Sequence, residues 1–468
     1  MNIKNNIQVK NATANNLKNV SVDIPLGMLV VVVGKSGSGK SSLVYDVVYN
    51  FSQGKKVEAS VSPLPKTYAI GQKVKAEAGM SLGETNRKRL DEIIKKSKKG
   101  DLLIVDEPCA GFAKEDREEI LKQLKSSVKK GISVIVVEHN RDIIANADYV
   151  IEFGPEAGSK GGEIVFQGTL AKYKKAKTPT VEYVFTDKAE KVDYQRSPSQ
   201  KAKSMQKYSL ALKGIAKNNF KNYTLKFPLG SLVCISGRTG SGKSTLLEVA
   251  YGALFKGKDA WKLRTGFKSI EGKTHVRRSY YVDQSLLSPI PTSTPATYLG
   301  VWDVIRDVYA GLPDSKRRKL KKSHFSFNTQ EGKDKSKMLE EIRYKKFSIF
   351  DILKMTIDDA VNLFDEFPLV GRKLGFLQEV GLGYLTLGQK SGTLSGGEAQ
   401  RVRLAKILSK KLGDRCLYIL DIPSRGLHLS DLPTLVKVLQ KIIDKTNTVL
   451  IAENREELMN NSDYLIKL

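Results

Sequence analysis

Two glycine-rich loops that each end in Lys-Ser are the residues in this chain best suited to chemistry. The first, GKSGSGKS, ends at Ser41, and the second, GRTGSGKS, ends at Ser244. Each fits the phosphate-binding pattern G-x-x-x-x-G-K-[ST], follows a short apolar run and precedes a helix-like stretch. In that setting backbone N–H groups wrap the phosphates of a nucleoside triphosphate. Lys40 and Lys243 would reach the β- and γ-phosphates, while the two serines would ligate Mg²⁺. The predicted nucleotide-binding residues of the loops are Gly34, Lys35, Ser36, Gly37, Ser38, Gly39, Lys40, Ser41, Ser42, Gly237, Arg238, Thr239, Gly240, Ser241, Gly242, Lys243, Ser244 and Thr245.

Two further elements recur in the same order after each loop. The apolar runs LLIVDEP and LYILDIP end in Asp106 and Asp421, which are placed to hold Mg²⁺ through water. A glutamine follows a strand-like run at Gln72 (YAIGQ) and at Gln284 (YYVDQ). The sequence therefore predicts ATP with Mg²⁺ as the cofactor in both copies. The expected Mg²⁺ ligands are Ser41, Gln72, Asp106, Ser244, Gln284 and Asp421.

A third recurring element is LSGGEAQRVRLA, which contains Ser395, with a degraded counterpart, MSLGETNRKRLD, which contains Ser81. The serine precedes the Mg²⁺-binding aspartate by 26 residues in the second copy and by 25 in the first. This order of parts indicates an internal duplication and resembles the ATP-binding cassette (ABC) ATPases, whose signature is the LSGGE-type element. The resemblance implies an α/β fold with two ABC-type P-loop nucleotide-binding domains in tandem and a mainly helical signature domain inserted in the second. It also adds four ATP-binding residues, Ser395, Gly396, Gly397 and Glu398.

The two copies differ most between the glutamine and the signature. Gln72 and Ser81 are nine residues apart, whereas Gln284 and Ser395 are 111 apart. Nine residues cannot form a helical subdomain, so the first copy is expected to be a nearly bare ATP-binding core. The polar and basic stretch 170–207 is interpreted as a linker. The predicted domains are a first ABC domain at 1–169, the linker at 170–207, a second ABC domain at 208–284 with 394–468, and an inserted signature and DNA-binding domain at 285–393.

The second copy permits a finer comparison. The passages STPATYLGVWDVIRDVYA, HFSFN, IRYKKFSIFDILKMTIDDAV and VGLGYLTLGQKSGTLSGGEAQRVRLAKIL strongly resemble the excinuclease A subunit family, UvrA, as does EHNRDIIANADYVIEFGPEAG in the first copy. The resemblance implies ATP-dependent binding of damaged or drug-modified duplex DNA. Two departures stand out. The first copy lacks the block that docks the partner subunit UvrB, and NTQEGKDKSKMLEEIRY has no cysteine where the family carries a zinc module. No zinc site is expected there.

The resemblance further implies that the P-loop of each copy faces the signature of the other. Site one, built from the first P-loop and the second signature, would then hold every expected group. Glu107 would orient or deprotonate the attacking water, His139 would contact the γ-phosphate, and Gln72 would complete the catalytic set. Glycines at 396 and 397 would let backbone amides approach the γ-phosphate without a side-chain clash.

Site two, built from the second P-loop and the first signature, has lost three of these groups. Ile422 stands at the glutamate position, Leu82 replaces a signature glycine, and Glu453 or a deletion stands at the histidine position. Loss of a general base costs about 10²- to 10⁴-fold in rate. Site two is therefore expected to hold ATP structurally or to turn over barely. A packing substitution in an enzyme that uses another base is the alternative explanation of Ile422.

The formal net charge of +28 indicates a polyanionic partner, with nucleic acid favoured over an anionic membrane surface. The best local candidate is SKRRKLKKSHFSFN, in which dense cations suit phosphate contacts that do not read sequence. A solvated surface loop is the alternative for this stretch. The expected DNA-binding residues are Arg317, Arg318, Lys319, Lys321 and Lys322.

Three functions remain open on the sequence alone. The first is a UvrA-like DNA-binding ATPase, acting in stand-alone resistance to a DNA-binding antibiotic or as an accessory subunit of excision repair. The second is an ABC-F-like translation or antibiotic-resistance ATPase acting on the ribosome, and the third is the ATPase of a membrane transporter. For the first, the expected partners are distorted or ligand-bound double-stranded DNA and a second copy or a full-length UvrA, without UvrB docking or a membrane. The scattered cysteines and the lack of an apolar run of about 18 residues favour the cytoplasm.

Overall fold

The computed structural model describes residues 6–71, 82–185, 199–255, 265–282, 287, 290, 292–409 and 413–468. Two compact units account for the chain, Met1–Tyr281 with Gly413–Leu468 and Val282–Leu412. The first unit holds the ATP-binding cores of both copies. The second holds the insertion together with the signature helix Gly396–Ser409. The signature helix, which the sequence assigns to the second ABC domain, is thus grouped with the insertion.

Each copy begins with a small antiparallel sheet followed by a larger core sheet. In the first copy the small sheet has the order β2-β1-β4, and the core sheet has the order β5-β6-β7-β3-β8-β9, parallel except for the β8–β9 pair. Strands β3, β6 and β7 are fully buried, as their unbroken valine, leucine and isoleucine runs predict. The strands are β1 (Asn6–Ala12), β2 (Val20–Pro25), β3 (Leu29–Gly34), β4 (Ser60–Val61), β5 (Thr67–Ile70), β6 (Leu102–Asp106), β7 (Ser133–Val137), β8 (Tyr149–Gly154) and β9 (Glu163–Thr169).

The second copy repeats this plan with the same order of parts. Its small sheet has the order β11-β10-β13, and its core sheet has the order β14-β15-β16-β12-β17. The β1–β2 and β10–β11 pairs even share a register irregularity at the same place. The duplication read from the motifs therefore extends to the strands around them. The strands are β10 (Ser209–Ile215), β11 (Tyr223–Pro228), β12 (Leu232–Ser236), β13 (Ser269–Glu271), β14 (Arg278–Val282), β15 (Cys416–Asp421), β16 (Thr448–Ala452) and β17 (Tyr464–Lys467).

Helices of the first unit cover the sheets and follow the loops that carry the motifs. The stretch interpreted as a linker contains three short helices among its described residues. The α-helices are Asn50–Ser52, Leu82–Lys96, Lys114–Lys129, Arg141–Ile144, Leu170–Tyr173, Pro179–Phe185, Gln200–Met205, Lys243–Leu254, Leu432–Ile443 and Glu456–Met459. Ser42–Tyr49 is wound as a π-helix, and Gly158–Lys160, Lys273–His275 and Leu429–Asp431 are 3₁₀ turns.

The second unit is mainly helical in its described part, as expected from the sequence. Its helices are Pro295–Tyr298, Val301–Gly311, Pro313–Arg317, Gln330–Asp334, Ser336–Glu341, Ile349–Lys354, Ile357–Leu363, Pro368–Glu379 and Gly396–Ser409, with 3₁₀ turns at Lys322–Phe325 and Ser391–Thr393. Over the described residues of both units, no helix combines the length and apolar character needed to cross a membrane.

Candidate functional site

Both P-loops lie between a buried strand and a helix, as their motif requires. The Lys40 ammonium donates to the carbonyl oxygens of Gly34 (2.8 Å) and Lys35 (2.7 Å). Lys243 makes the equivalent bonds to Gly237 (2.6 Å) and Arg238 (2.9 Å). The two lysines are thus folded over their own loops in the same way. Each ammonium lies on the loop whose N–H groups would wrap the phosphates.

The first P-loop can form only because glycines occupy its tight positions. Gly34 has φ +131°, and a Cβ there would lie 2.3 Å from the carbonyl oxygen of Phe153. Gly39 has φ +113°, and its Cβ would press on Leu17. These backbone conformations and the lack of space exclude other residues, which explains why the motif fixes glycine at these positions.

A pair of asparagines braces each P-loop, although the P-loop motif does not include them. Asn16 donates to the carbonyl of Gly37 (3.0 Å), and Asn219 donates to the carbonyl of Gly240 (2.6 Å). The neighbouring Asn15 and Asn218 bond the first turn of the helix that follows each loop. The signal was in the sequence, because ANNLKN and KNNFKN occupy matching places in the two copies.

The predicted Mg²⁺ position of the second copy offers oxygen ligands of the kind that the ion prefers. The Ser244 hydroxyl donates to the Asp421 carboxylate at 3.2 Å, which places both predicted ligands at one point. Burial raises the pKa of Asp421 to about 6, against the opposing effects of the Ser244 hydrogen bond and the Lys243 charge. A hydroxyl and a carboxylate fit a bound Mg²⁺, whose charge would favour the ionised carboxylate. Within the described ranges, no group of three or more His, Cys, Asp or Glu residues could hold a metal ion.

The residues after the two predicted Mg²⁺-binding aspartates share a backbone φ and differ in chemistry. Glu107 and Ile422 both have φ +47°, and each donates its N–H to the neighbouring parallel strand. Glu107 is buried, whereas Ile422 packs its Cδ1 atom against Gly111. One copy therefore presents a carboxylate at the position where the other presents an apolar side chain.

The loops after β7 and β16 show how the histidine positions correspond. Glu138 accepts the N–H groups of Cys109, His139 and Asn140. Glu453 accepts the N–H groups of Ser424, Asn454 and Arg455 in the same pattern.

One sequence-based interpretation changes as a result. Glu453 is the counterpart of Glu138, so Asn454 and not Glu453 occupies the position of His139. Both glutamates are buried and cap their loops. The conclusion that no histidine stands at this position of the second copy is unaffected.

Around the second P-loop, the first signature lies close to the phosphate-binding loop. A Cβ on Gly83 would lie 2.9 Å from the Thr239 methyl, and a Cβ on Gly240 would lie 2.8 Å from Glu84 Oε1. Asn454 adds a bridge, because its amide donates to the carbonyl of Gly111 (2.8 Å) in the first copy and to that of Gly237 (2.9 Å).

The helix Lys114–Lys129 also holds this P-loop. Asp116 accepts from the Thr239 N–H (2.9 Å) and from the Arg238 guanidinium (3.1 and 3.2 Å). Arg238 further pairs with Glu119 at 3.1 Å. Side chains from the first copy thus fix the second P-loop at two of its variable positions, which the motif alone does not reveal.

Around the first P-loop, the loop after β15 of the second copy approaches the candidate catalytic base. The Ser36 hydroxyl donates to the Gly426 carbonyl, and a Cβ on Gly426 would lie 3.3 Å from Glu107 Oε1. Burial raises the pKa of Glu107, and the nearby Arg425 opposes that rise. A carboxylate with a raised pKa is suited to accept a proton from water. His139 is buried beside it, and both line one cleft with Arg425.

The remaining predicted ATP-site residues fall in the second unit or outside the described residues. Ser395, Gly396, Gly397 and Glu398 start the signature helix as a capping box, in which the Ser395 hydroxyl accepts from the Glu398 N–H (3.2 Å) and Glu398 accepts from the Ser395 N–H (2.8 Å). Gln72, Ser81 and Gln284 lie outside the described residues, as does the side chain of Leu82.

The predicted DNA-binding cations lie on the second unit, and three of them are engaged locally. Arg317 pairs with Asp314, Arg318 with Glu341 at 2.5 Å, and Lys322 with Asp307 at 2.6 Å. Such exposed pairs contribute about 0–1 kcal/mol, so a phosphate can replace the carboxylate at little cost. Lys319 and Lys321 are exposed. Phe325 is buried and Phe327 packs edge-on against Trp302, so both belong to the unit's core rather than to a stacking surface.

These features define a tandem ABC-type ATPase fold, and comparison with known proteins agrees. The protein-family profile described as "ABC transporter" matches residues 220–425. UvrABC system protein A of Clostridium acetobutylicum is 37% identical over 421 residues, which are 83% of this chain and 44% of that protein. The Bacillus subtilis protein of the same name is 37% identical over 426 residues, 84% of this chain and 44% of its own length.

The crystal structure of UvrA2 from Deinococcus radiodurans shares this fold, with a TM-score of 0.87, 21% identity and coverage of 99% of this chain and 95% of that one. A weaker likeness in fold, with a TM-score of 0.51 and 16% identity, links the chain to a model of ribosome-bound archaeal Pelota and ABCE1. The chain is thus similar in sequence to the UvrA proteins and has the fold of a tandem ABC ATPase. It spans less than half the length of the curated relatives that it matches.

Proposed function

We propose that the chain is an ATPase in which site one hydrolyses ATP and site two holds it. The observation that carries this proposal is the difference in side chain at one shared backbone geometry, where Glu107 and Ile422 both have φ +47° but only Glu107 can polarise water. Asn454, at the position of His139, is committed to the carbonyl groups of Gly111 and Gly237. Side chains that bridge the two copies at site two suit a nucleotide that supports the interface rather than one that turns over.

We propose that the chain binds distorted, damaged or drug-bound duplex DNA in the cytoplasm and that its ATP cycle acts on this DNA. Support comes from the UvrA-like relatives and from the net charge of +28. Antibiotic resistance is favoured over repair because only nine residues separate Gln72 from Ser81, which leaves no room there for a UvrB-docking domain. The protein would then use ATP to displace or shield a DNA-bound ligand without the incision machinery.

The two ATP sites are expected to respond differently to mutation, and this difference tests the ATPase assignment. Glu107→Gln should reduce turnover by about 10²- to 10⁴-fold, because the base is lost while the amide keeps the shape of the side chain. ATP should remain bound to this variant. Lys243→Ala should weaken nucleotide affinity at site two and lower turnover only indirectly. Steady-state ATPase rates and nucleotide binding measure both variants, and a Glu107→Gln rate within about threefold of wild type would refute the assignment.

Three further measurements distinguish the biological alternatives. A stand-alone resistance protein with ATP should release an intercalator from duplex DNA and protect cells that lack UvrB. If tolerance disappears whenever UvrB is deleted, an accessory role in excision repair, as a mixed dimer with a full-length relative, replaces resistance. If ribosomes but not duplex DNA stimulate the ATPase, the ribosome-acting alternative holds.

A further inference from the structure

A buried histidine of the second copy lies beside the candidate catalytic histidine of the first. His428 is 1% exposed, and both of its ring nitrogens have partners. The Ser430 N–H donates to Nδ1 at 3.2 Å, so Nδ1 is an acceptor and the ring proton is on Nε2. Nε2 lies 2.9 Å from the Thr180 hydroxyl. The hydrogen bond therefore runs from His428 to Thr180.

Thr180 passes this bond on to a buried carboxylate of the first copy. Its hydroxyl donates to Glu152 at 2.6 Å, and its N–H donates to the same oxygen at 3.2 Å. Glu152 also accepts from the Thr178 hydroxyl and the Tyr173 hydroxyl, both at 2.5 Å. Four donors fix this carboxylate, so it can in turn fix the hydroxyl that accepts from the histidine.

The ring held in this way packs against the ring of His139. The centroids of His139 and His428 are 5.8 Å apart with an interplanar angle of 82°, and Tyr183 approaches His428 edge-on at 6.4 Å. Burial lowers the pKa of His428 to about 3, and the charges of Lys40, Lys35 and Arg455 act in the same direction. The imidazole therefore stays neutral at physiological pH and keeps its donor toward Thr180.

This arrangement belongs to one site only. Counting from the Mg²⁺-binding aspartates, the counterpart of His428 in the first copy is Ala113, which can donate no side-chain hydrogen bond. From the strand register, Glu152 pairs with the residue before Gly34, and its counterpart beside Gly237 is Lys467. His428 and Glu152 therefore lie at the site that also contains Glu107 and His139, and their counterparts at the other site are Ala113 and Lys467.

We propose that His428 is a positioning residue for hydrolysis at site one, held by Thr180 and Glu152 so that its ring fixes the orientation of His139. Because Thr180 lies in the helix Pro179–Phe185, the segment that leads out of the first copy is thereby tied to the catalytic site. The inference rests on the proposed ATPase function of site one.

The chain offers a matched pair of variants for the test. Thr180→Val and Thr178→Val each remove one buried hydroxyl that donates to Glu152, but only Thr180 touches His428. Thr180→Val should lower kcat about three- to tenfold, the effect of losing one hydrogen bond, with the KM for ATP within about twofold. Thr178→Val leaves the bond between Thr180 and His428 in place, so it should lower kcat less than Thr180→Val does, although its melting temperature falls similarly. Thr180→Ser keeps the hydroxyl and should retain the rate.

Several outcomes would overturn the proposal. Equal kcat values for Thr180→Val and Thr178→Val would show that the hydroxyls serve stability alone. The ¹⁵N spectrum of the imidazoles tests the same point in the unmodified protein, which has four histidines. A His428 ring that is protonated on Nδ1, or charged at neutral pH, would also refute it. Failure of the ATPase assignment is recognised separately, because Glu107→Gln would then keep its turnover.

Discussion

At the scale of single residues, the backbone after Asp106 and the backbone after Asp421 share one unusual conformation. A positive φ of +47° is strained for any residue with a side chain and most strained for a β-branched one. Such strain costs on the order of 1–3 kcal/mol and persists only when the surroundings impose it. At Ile422 the surroundings include Gly111 of the first copy, against which the isoleucine packs. The second copy thus keeps the backbone conformation found at Glu107 and uses it for a contact between copies.

The contact of Ile422 with Gly111 leads to a prediction about stability. Gly111→Ala should lower the melting temperature because the new Cβ would lie 2.3 Å from the Ile422 Cδ1 atom. Overpacking of this kind costs about 1–3 kcal/mol. Gly54→Ala is the matched control, since Gly54 has φ +72°, close to the +76° of Gly111, but no atom lies within 4 Å of its Cβ position. Thermal denaturation of both variants, and of Gly111→Ala combined with Ile422→Ala, separates packing from backbone strain. Equal shifts for the two single variants would contradict the contact.

At the scale of elements, the helix Lys114–Lys129 links the two copies through its first turn. Asp116 lies in that turn with its side chain 3% exposed, and it accepts hydrogen bonds from the Thr239 N–H and the Arg238 guanidinium. Burial by itself would raise the pKa of this carboxyl, but the N–H and guanidinium donors outweigh it and leave the pKa below its usual value. The ionised carboxylate is therefore the form that holds the second P-loop.

This lowered pKa predicts a pH-dependent loss of stability in the acid range. Asp116→Asn should destabilise the protein by about 1–3 kcal/mol at neutral pH, since it removes charged hydrogen bonds from a buried group. A group whose folded pKa is depressed contributes stability above its unfolded pKa, about 3.9 for aspartate, and loses it as pH falls through the folded value. The gap in melting temperature between wild type and Asp116→Asn should therefore narrow below about pH 4. Glu119→Gln, at a side chain 40% exposed, should change little, and a gap that does not depend on pH would contradict the role of the charge.

The same scale shows why the sequence predicted some elements and not others. The apolar runs that form β3 and β6 could be recognised as buried strands because parallel core strands are apolar throughout. The P-loop marks where β3 ends. The histidine position was assigned to Glu453 because its offset depends on strand register, which the sequence alone does not give. The contact between Thr180 and His428 was not predicted, because the two residues are 248 positions apart in the sequence. Patterns within one segment predict local structure, whereas such a distant contact leaves no local signal.

At the scale of the whole molecule, the formal net charge is +28. Ion pairs within the chain leave this surplus unchanged, because each pair takes one cation and one anion. Self-repulsion of this size favours association with a polyanion, and the interaction of cations with DNA phosphates depends on the release of counterions. The cations of residues 316–322 lie on the second unit, whereas both ATP-binding cores lie in the first. Variants on each unit can therefore test which unit carries the proposed DNA-binding surface without altering the ATP-binding cores.

The last prediction compares two sets of four charges. Replacing Arg317, Arg318, Lys321 and Lys322 by glutamine should weaken duplex binding and reduce the slope of log K against log salt, by about 0.9 for each phosphate that the variant no longer neutralises. The weakening should be similar for all sequences, because phosphate contacts position the protein without reading bases. The control set, Lys95, Lys96, Lys98 and Lys99, removes the same charge from exposed lysines of the first unit. General attraction by net charge would weaken both sets alike, whereas a binding surface on the second unit would lower the slope only for the first set. Binding titrations across a range of salt concentrations decide between them, and equal slopes would move the DNA surface away from residues 317–322.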